Sequence, residues 1–420
     1  MGKKNGQSSR FKAWHLALLL LLAGCALRIV PWTSYRTMAY DESWYRKYVH
    51  ALDREGLGAW PDICAAYLED GKDEKTIAKV PPLRALFIFG GYVWKRAAFG
   101  DAPPTDLGTE DGPSRDPALI SLHRVATLFG CLGLIIAWLF ARRLFGETEA
   151  LAVLALSACS PLLIHTSQHA LIDGVYGTCA LAALWTLWEA MREHARPAWI
   201  AAFGVSFTLL VLAKENALFP AAAIGALMIF GRRIGFGQAD RRHWLAAIIG
   251  GLSAIALITT AAGGFRTMTE VYLLFIRKVQ ALPYAHKTGD GPWFRYLVDL
   301  MAFTPATMCF ALGGAFRALR DDRRAHGLLA FLAVTYIAMC NVRYGMNLRY
   351  TTIWDFPLRS LASLQAFALV ARCTRPRLLL GAIIAILCAI DVAQYRHLFV
   401  TYRLYELPTE DILRAEKIVK

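Results

Sequence analysis

A ladder of long apolar runs limits this chain more than any other feature. The runs fall at roughly 13–33, 118–141, 149–166, 170–190, 198–213, 216–231, 244–264, 295–315, 328–341, 356–371 and 377–393. A helix rises about 1.5 Å per residue, so about 20 apolar residues cross a hydrocarbon core of about 30 Å. In that medium every backbone amide must be satisfied within its own segment, which leaves helices as the solution for runs of this length. Composition agrees. Of the 420 residues, 56% are hydrophobic and 19% charged, too apolar a balance for a soluble chain to cover. The expectation is an all-α polytopic membrane protein with about eleven transmembrane helices.

The charges supply the topology. The formal net charge is +14. In a membrane protein such a surplus collects in cytoplasmic loops, so no nucleic-acid partner is expected. One set of connections holds Arg142-Arg143, Arg192 with Arg196, Arg232-Arg233 with Arg241-Arg242, Arg317 to Arg324, and Arg372 to Arg377. These join the N-terminal Lys3, Lys4, Arg10 and Lys12 on the cytoplasmic side. That parity holds only if the apolar patch Leu83–Phe99 does not cross. Arg84, Lys95 and Arg96 interrupt the patch and suit an interfacial helix on the outer surface. The N-terminus is then inside and the C-terminus outside. The first run reads as an uncleaved span, with lipoprotein-type cleavage at Cys25 as the alternative. The whole of 1–420 reads as one transmembrane domain. Residues 34–117 form a large outer loop with interfacial helices, and 394–420 form a short outer tail. The nine cysteines lie mostly inside apolar runs, and no pair has metal-ligand spacing.

With this topology, five polar stretches gather on the outer face. Tyr40-Asp41-Glu42 follows the first span among aromatic residues, which favour the membrane interface. A carboxylate there is partly desolvated yet within reach of a water-soluble substrate, as a general base must be. The same acids also suit the first turn of a helix. In Lys79-Val80-Pro81-Pro82 the prolines hold the lysine on extended backbone. Its ammonium can meet a substrate phosphate or simply snorkel to lipid. The stretch His165 to Gly174 makes a tight turn in which Asp173 can orient a substrate hydroxyl or cap a helix. Its two histidines make a poor metal pair. Lys214-Glu215-Asn216 breaks two apolar runs, either as functional charges or as a local ion pair. Asn341 to Tyr350 brings Arg343, Tyr344, Arg349 and Tyr350 to the outer face, against the positive-inside trend. Arginine there can clamp a phosphate and tyrosine can stack on a sugar.

In this order, from about residue 14 to 371, these stretches resemble the GT-C membrane glycosyltransferases. The resemblance points to the group containing protein O-mannosyltransferases and the lipid A aminoarabinose transferase. It rests on Tyr40-Asp41-Glu42 after the first span and on Lys79-Val80-Pro81-Pro82, which has one residue inserted. Arg124 opens the second span, and Leu144-Phe145-Gly146 stands at its cytoplasmic end. Ser160-Pro161 and Asp173 match a further motif, with Gln168 where arginine is usual. Ala213-Lys214 and Arg349-Tyr350 before Pro357 complete it. The resemblance implies a polyprenyl-phosphate-linked sugar donor and a hydroxyl acceptor on a glycan, lipid or protein. Transfer would be an inverting single displacement at the outer face of a bacterial inner membrane. Asp41 would be the base, and Lys79 and Arg349 would meet the leaving phosphate. Glu42, Asp173, Arg124, Lys214 and Tyr350 would complete the substrate site. The loop Phe265–Pro292, hinged at Gly289-Asp290-Gly291, would close over the donor. No cofactor and no metal is called for. A transporter or flippase of a lipid-linked glycan is the alternative; it calls for ionisable residues at mid-span and for repeats.

The topology has a direct check. Reporter fusions after Tyr40 and at the C-terminus should both report the outer compartment. A cytoplasmic C-terminus would mean that Leu83–Phe99 crosses or that a later span was miscounted.

Overall fold

The computed structural model describes residues 3–30, 40–71, 80–105, 116–342 and 346–419, without the side chains of 3–12, 284 and 285. Among the described residues the structure is helical and contains no strand. After α1 (Lys3–Ile29), the first polar segment holds α2 (Tyr40–Glu55), α3 (Trp60–Asp70) and α4 (Ala85–Phe99). The long α5 (Pro117–Leu144) leads to α6 (Glu147–Ala158), α7 (Pro161–Gln168), α8 (Ile172–Ala190), α9 (Pro197–Ala213), α10 (Leu218–Ile234) and α11 (Arg241–Ala261). Then come α12 (Phe265–Ala281), α13 (Pro283–Gly289), α14 (Arg295–Phe303), α15 (Pro305–Asp321), α16 (His326–Asn341), α17 (Asp355–Val370), α18 (Pro376–Tyr395) and α19 (Thr409–Ala415).

Local chemistry sets many of these boundaries. Pro117, Pro161, Pro197, Pro305 and Pro376 each stand in a first turn, where the missing N–H would have no helical partner anyway. Asp116 caps α5 by accepting from the Leu119 amide at 3.0 Å. Asp240 and His243 form a reciprocal box at the start of α11. Gly235 ends α10 with φ 74°, a left-handed conformation that glycine enters without a Cβ clash.

Three expectations change. The run 149–166 is not one straight helix: α6 and α7 meet at a 54° bend. Pro161 cannot continue the amide ladder, and the Ser160 hydroxyl instead accepts from the Leu163 amide at 3.3 Å. The run 295–315 divides in the same way at Thr304-Pro305 into α14 and α15. The loop Phe265–Pro292 is largely helical, as α12 and α13. The Arg295 guanidinium clamps its Gly289–Gly291 end by donating to the carbonyls of Thr288 and Asp290.

Length and composition mark α5, α11, Glu215–Ile234 and Pro376–Thr401 as able to cross a membrane, and the bent α6–α7 pair adds a fifth. The other predicted crossings form shorter or less apolar helices, and α4, read from the sequence as interfacial and not as a crossing, has 15 residues and rises about 22 Å. A large apolar surface faces outward. On α11, Leu245, Ile248, Ile249, Leu252 and Ile255 are each between 41% and 60% exposed. Their spacing puts them on one helix face, and Leu18, Leu19 and Leu22 of α1 are similarly bare. A soluble protein does not leave such a surface uncovered. The chain is an integral membrane protein.

The two ends of the bundle differ in charge. At one end Arg143 and Arg192 both pair with Glu189, at 2.7 and 3.5 Å. Arg142 lies 4.6 Å over the Trp14 ring of α1, and Arg324 donates to the Phe145 carbonyl. The connections that hold Arg142-Arg143, Arg192 and Arg324 therefore share one end with the Trp14 turn of α1. In the interior, Arg359 binds Asp355 at 2.9 Å and Asp391 at 2.6 Å. Beside them lies a cavity of about 20 Å³, lined by Ser160, Thr304 and Thr307 among others, with room for about one water.

Asp116 also ties α2 to α5. Its carboxylate takes His50 at 2.8 Å and Arg46 at 2.9 Å. Burial pushes this carboxyl up, but the His50 and Leu119 hydrogen bonds and Arg46 outweigh burial and hold it down at about 2. A depressed carboxylate stabilises the fold above its unfolded value and loses that contribution as pH falls through the folded one. About 2 kcal/mol is at stake by the size of the shift. Asp116→Asn should therefore lower the neutral-pH melting temperature in detergent. It should also flatten the loss of stability of the wild type between about pH 4 and pH 2.

Candidate active site

The site is built at the end of the bundle opposite the arginine loops. Asp41 and Glu42 sit in the first turn of α2, where the helix dipole favours acids. Adjacent helical residues are about 100° apart, so the two carboxylates diverge. Glu42 turns inward and is 1% exposed. It accepts from the Ala170 amide at 2.8 Å and meets His169 Nδ1 at 3.3 Å and His123 Nε2 at 4.0 Å. Burial raises this carboxyl, but the His169 hydrogen bond and charge, His123 and the Ala170 amide together leave it below its usual value. Glu42 thus pins α2 to the turn between α7 and α8 and does not face an open substrate site.

Asp41 turns the other way, with its side chain 21% exposed. It meets Arg349 Nη2 at 3.5 Å. Arg349 comes from a short 3-10 segment, Leu348–Trp354, whose start is capped by Asn347 Oδ1 accepting from the Arg349 amide at 2.9 Å. The guanidinium is nearly buried and has two further carboxylates, Glu406 at 3.2 Å and Asp173 at 4.0 Å. Burial alone would make Arg349 easier to deprotonate, but Glu406, Asp173 and Asp41 hold it well above its ordinary value. It is a fixed positive charge.

Asp173 opens α8 and is engaged by Lys214 at 2.6 Å. The Lys214 ammonium lies 4.1 Å over the Tyr350 ring, and the Asp173 carbonyl accepts from the Thr352 hydroxyl at 2.9 Å. Gly177 permits this closeness: a Cβ there would stand 2.8 Å from the Thr352 side chain. Beside this pair, Arg84 binds Glu215 through two nitrogens at 2.5 and 3.1 Å and also donates to the Tyr45 hydroxyl.

The structure therefore brings Asp41, Asp173, Lys214, Arg349 and Tyr350 together, with Glu42 directly behind them. It does not bring Arg124 in. That side chain is exposed and rests over the Phe99 ring, while its neighbour His123 faces the interior. Lys79, Arg343 and Tyr344 lie outside the described residues. Gln168 donates to the Leu27 and Val30 carbonyls and accepts from the Tyr395 hydroxyl, so it joins α1, α7 and α18. Sequence reasoning missed Arg84, which was legible as a charge at the head of an apolar helix just after Pro82. It also missed Glu406, which no local pattern marks. Among the described residues no group of three or more His, Cys, Asp or Glu is placed to hold a metal.

Chemically, the arrangement offers a partly open carboxylate beside a permanent cation. Comparison with known proteins bears on the fold. The signature of the dolichyl-phosphate-mannose-protein mannosyltransferase family matches residues 119–262. No curated protein matched the chain. Among solved structures, the Archaeoglobus fulgidus oligosaccharyltransferase in complex with Zn and sulfate aligns with a TM-score of 0.60 at 17% identity, over 90% of this chain and 53% of that one. ArnT from Cupriavidus metallidurans aligns in its apo state with a TM-score of 0.52 at 15% identity, over 97% and 74%. The same protein bound to undecaprenyl phosphate gives 0.50 at 14%, over 97% and 76%. The chain spans about half the length of the oligosaccharyltransferase it matches. The shared property is the fold, and it is the GT-C fold expected from the motifs.

The inward role of Glu42 is testable by stability. Glu42→Ala leaves the Ala170 amide and His169 without their partner, a loss of about 1–3 kcal/mol. The melting temperature in detergent should fall accordingly. An unchanged value would mean that this contact does not hold α2 in place.

Proposed function

We propose that this protein is a membrane glycosyltransferase that moves a sugar from a polyprenyl-phosphate-linked donor to a hydroxyl acceptor. One observation carries the reading: Asp41 stands 3.5 Å from the Arg349 guanidinium at the end away from the arginine loops. Transfer from a lipid phosphate needs a base for the acceptor proton and a cation for the leaving phosphate, within one substrate's breadth of each other. The oxygen of the acceptor attacks the anomeric carbon as the bond from that carbon to the phosphate oxygen breaks. The hydroxyl proton passes to Asp41, and the bonding pair leaves on the phosphate, facing Arg349. Attack from the opposite face inverts the anomeric centre. Lys79 is assigned to the same phosphate from its place in the sequence. Asp173 and Lys214 hold Arg349 and Tyr350 in position from below.

The sidedness follows from the positive-inside rule, which places the arginine end in the cytoplasm and the site outside. An outer site has no access to cytoplasmic nucleotide sugars, so the donor must already have crossed. A lipid carrier satisfies that requirement. Undecaprenyl phosphate is the carrier favoured in a bacterial inner membrane, and ArnT in its bound form holds that lipid. The acceptor is a glycan, lipid or protein hydroxyl. Arg349 supplies fixed positive charge for the phosphate, so no metal is assigned a role, and turnover should persist in a chelator.

Two measurements test this. Asp41→Asn keeps shape but removes the base, and should slow transfer by about 10²–10⁴-fold while lipid-phosphate binding persists. Near-normal turnover would reduce Asp41 to a first-turn acid. Purified protein given a polyprenyl-phosphate sugar should release free lipid phosphate only when acceptor is present. Use of a nucleotide sugar alone would overturn both donor and sidedness.

A further inference from the structure

Arg349 is ringed by three carboxylates, and they are held very differently. Asp173 is 1% exposed and locked to Lys214 at 2.6 Å. Asp41 sits on α2, which Glu42 fastens to the Ala170 amide. Glu406 belongs to the irregular segment between Thr401 and α19, and at 26% exposure its side chain is the most open of the three. The nearby cations are also committed, Lys214 to Asp173 and Arg84 to Glu215. An incoming phosphate that uses Arg349 meets a guanidinium already ion-paired with Glu406 at 3.2 Å.

We propose that Glu406 is a built-in anion occupying the phosphate position beside Arg349, and that a phosphate-bearing donor binds by displacing it. The proposal rests on the reading of Arg349 as the donor-phosphate cation. The segment is seated so that the carboxylate can leave without the strap unfolding. The Tyr405 carbonyl accepts from His165 Nε2 at 3.2 Å, and the Tyr405 ring stands edge-on to His169. Leu407 is buried. Beyond it, Thr409 accepts from Arg295 at 2.8 Å, and Glu410 meets Lys287 at 3.1 Å. Glu406 therefore projects from a strap anchored on both sides. The phosphodiester of a lipid-linked donor carries one negative charge, as the carboxylate does, and offers the guanidinium the same two-oxygen fork, so one anion can replace the other, and the lipid phosphate released on transfer carries more charge still. Before a donor phosphate arrives, Glu406 keeps the Arg349 charge paired beside Asp41.

The test uses the full chain in detergent, titrated with undecaprenyl phosphate, and compares the wild type with Glu406→Gln, Arg349→Gln and the double variant. Removing the competing charge should tighten lipid-phosphate binding by about 5-fold or more, the usual lower range for coupled sites. The gain should vanish when Arg349 is absent. Unchanged or weaker binding in a folded Glu406→Gln protein overturns the proposal, and so does a gain that persists without Arg349. Thermal melting without ligand checks folding. Inorganic phosphate separates the headgroup chemistry from the lipid. If no variant binds undecaprenyl phosphate, but inorganic phosphate raises the melting temperature of Glu406→Gln more than that of the wild type, the displacement stands and the lipid donor falls. If neither ligand distinguishes the variants, the displacement falls too.

Discussion

Arg349 is the charge on which the end of this protein away from the arginine loops is organised. A buried guanidinium is tolerable only with partners, because desolvating an ion costs several kcal/mol. Its partners come from α2, the head of α8 and the segment before α19. Elements more than 300 residues apart in sequence are thus bound to one cation. Each has a second attachment that fixes its approach: Glu42 for α2, Lys214 for α8, and the His165 contact for the final segment. A site made this way has its geometry set before substrate arrives, which is what electrostatic stabilisation of a leaving group requires.

The membrane explains why these groups collect where they do. The flanks of the bundle expose leucine and isoleucine to lipid, so ionisable residues are confined to its ends and to its interior. The arginine-rich loops take one end and the carboxylate-ringed Arg349 takes the other. Interior charges such as Arg359 with Asp355 and Asp391 are paired, as charges at that depth must be. The Arg359–Asp391 pair connects α17 to α18 and braces the helix that continues the 3-10 segment presenting Arg349.

Much of this was legible in the sequence. Apolar run length revealed the helices, because a span needs a fixed number of residues whatever its neighbours do. The alternation of arginine grouped the connections by end. Asp41, Asp173, Lys214 and Arg349 stood out because charge at the edge of an apolar run has few inexpensive explanations. What escaped depended on direction and on distant contact. Asp41 and Glu42 look equivalent as neighbours, but helix geometry sends one to the site and the other to His169. Arg124 and His123 divide in the same way, with the opposite residue facing inward. The breaks at Ser160-Pro161 and Thr304-Pro305 were written in the prolines but hidden by uninterrupted hydropathy. Glu406 sits in an unremarkable tail, and only folding carries it back to Arg349.

The central claim is that the lipid phosphate and the base meet at Arg349 and Asp41. A structure of the protein with undecaprenyl phosphate bound tests it most directly. The account predicts phosphate oxygens at about 2.7–3.2 Å from the Arg349 guanidinium, Asp41 beside them and open to the acceptor, and Glu406 withdrawn. A phosphate bound elsewhere, with Glu406 still on Arg349, would contradict it.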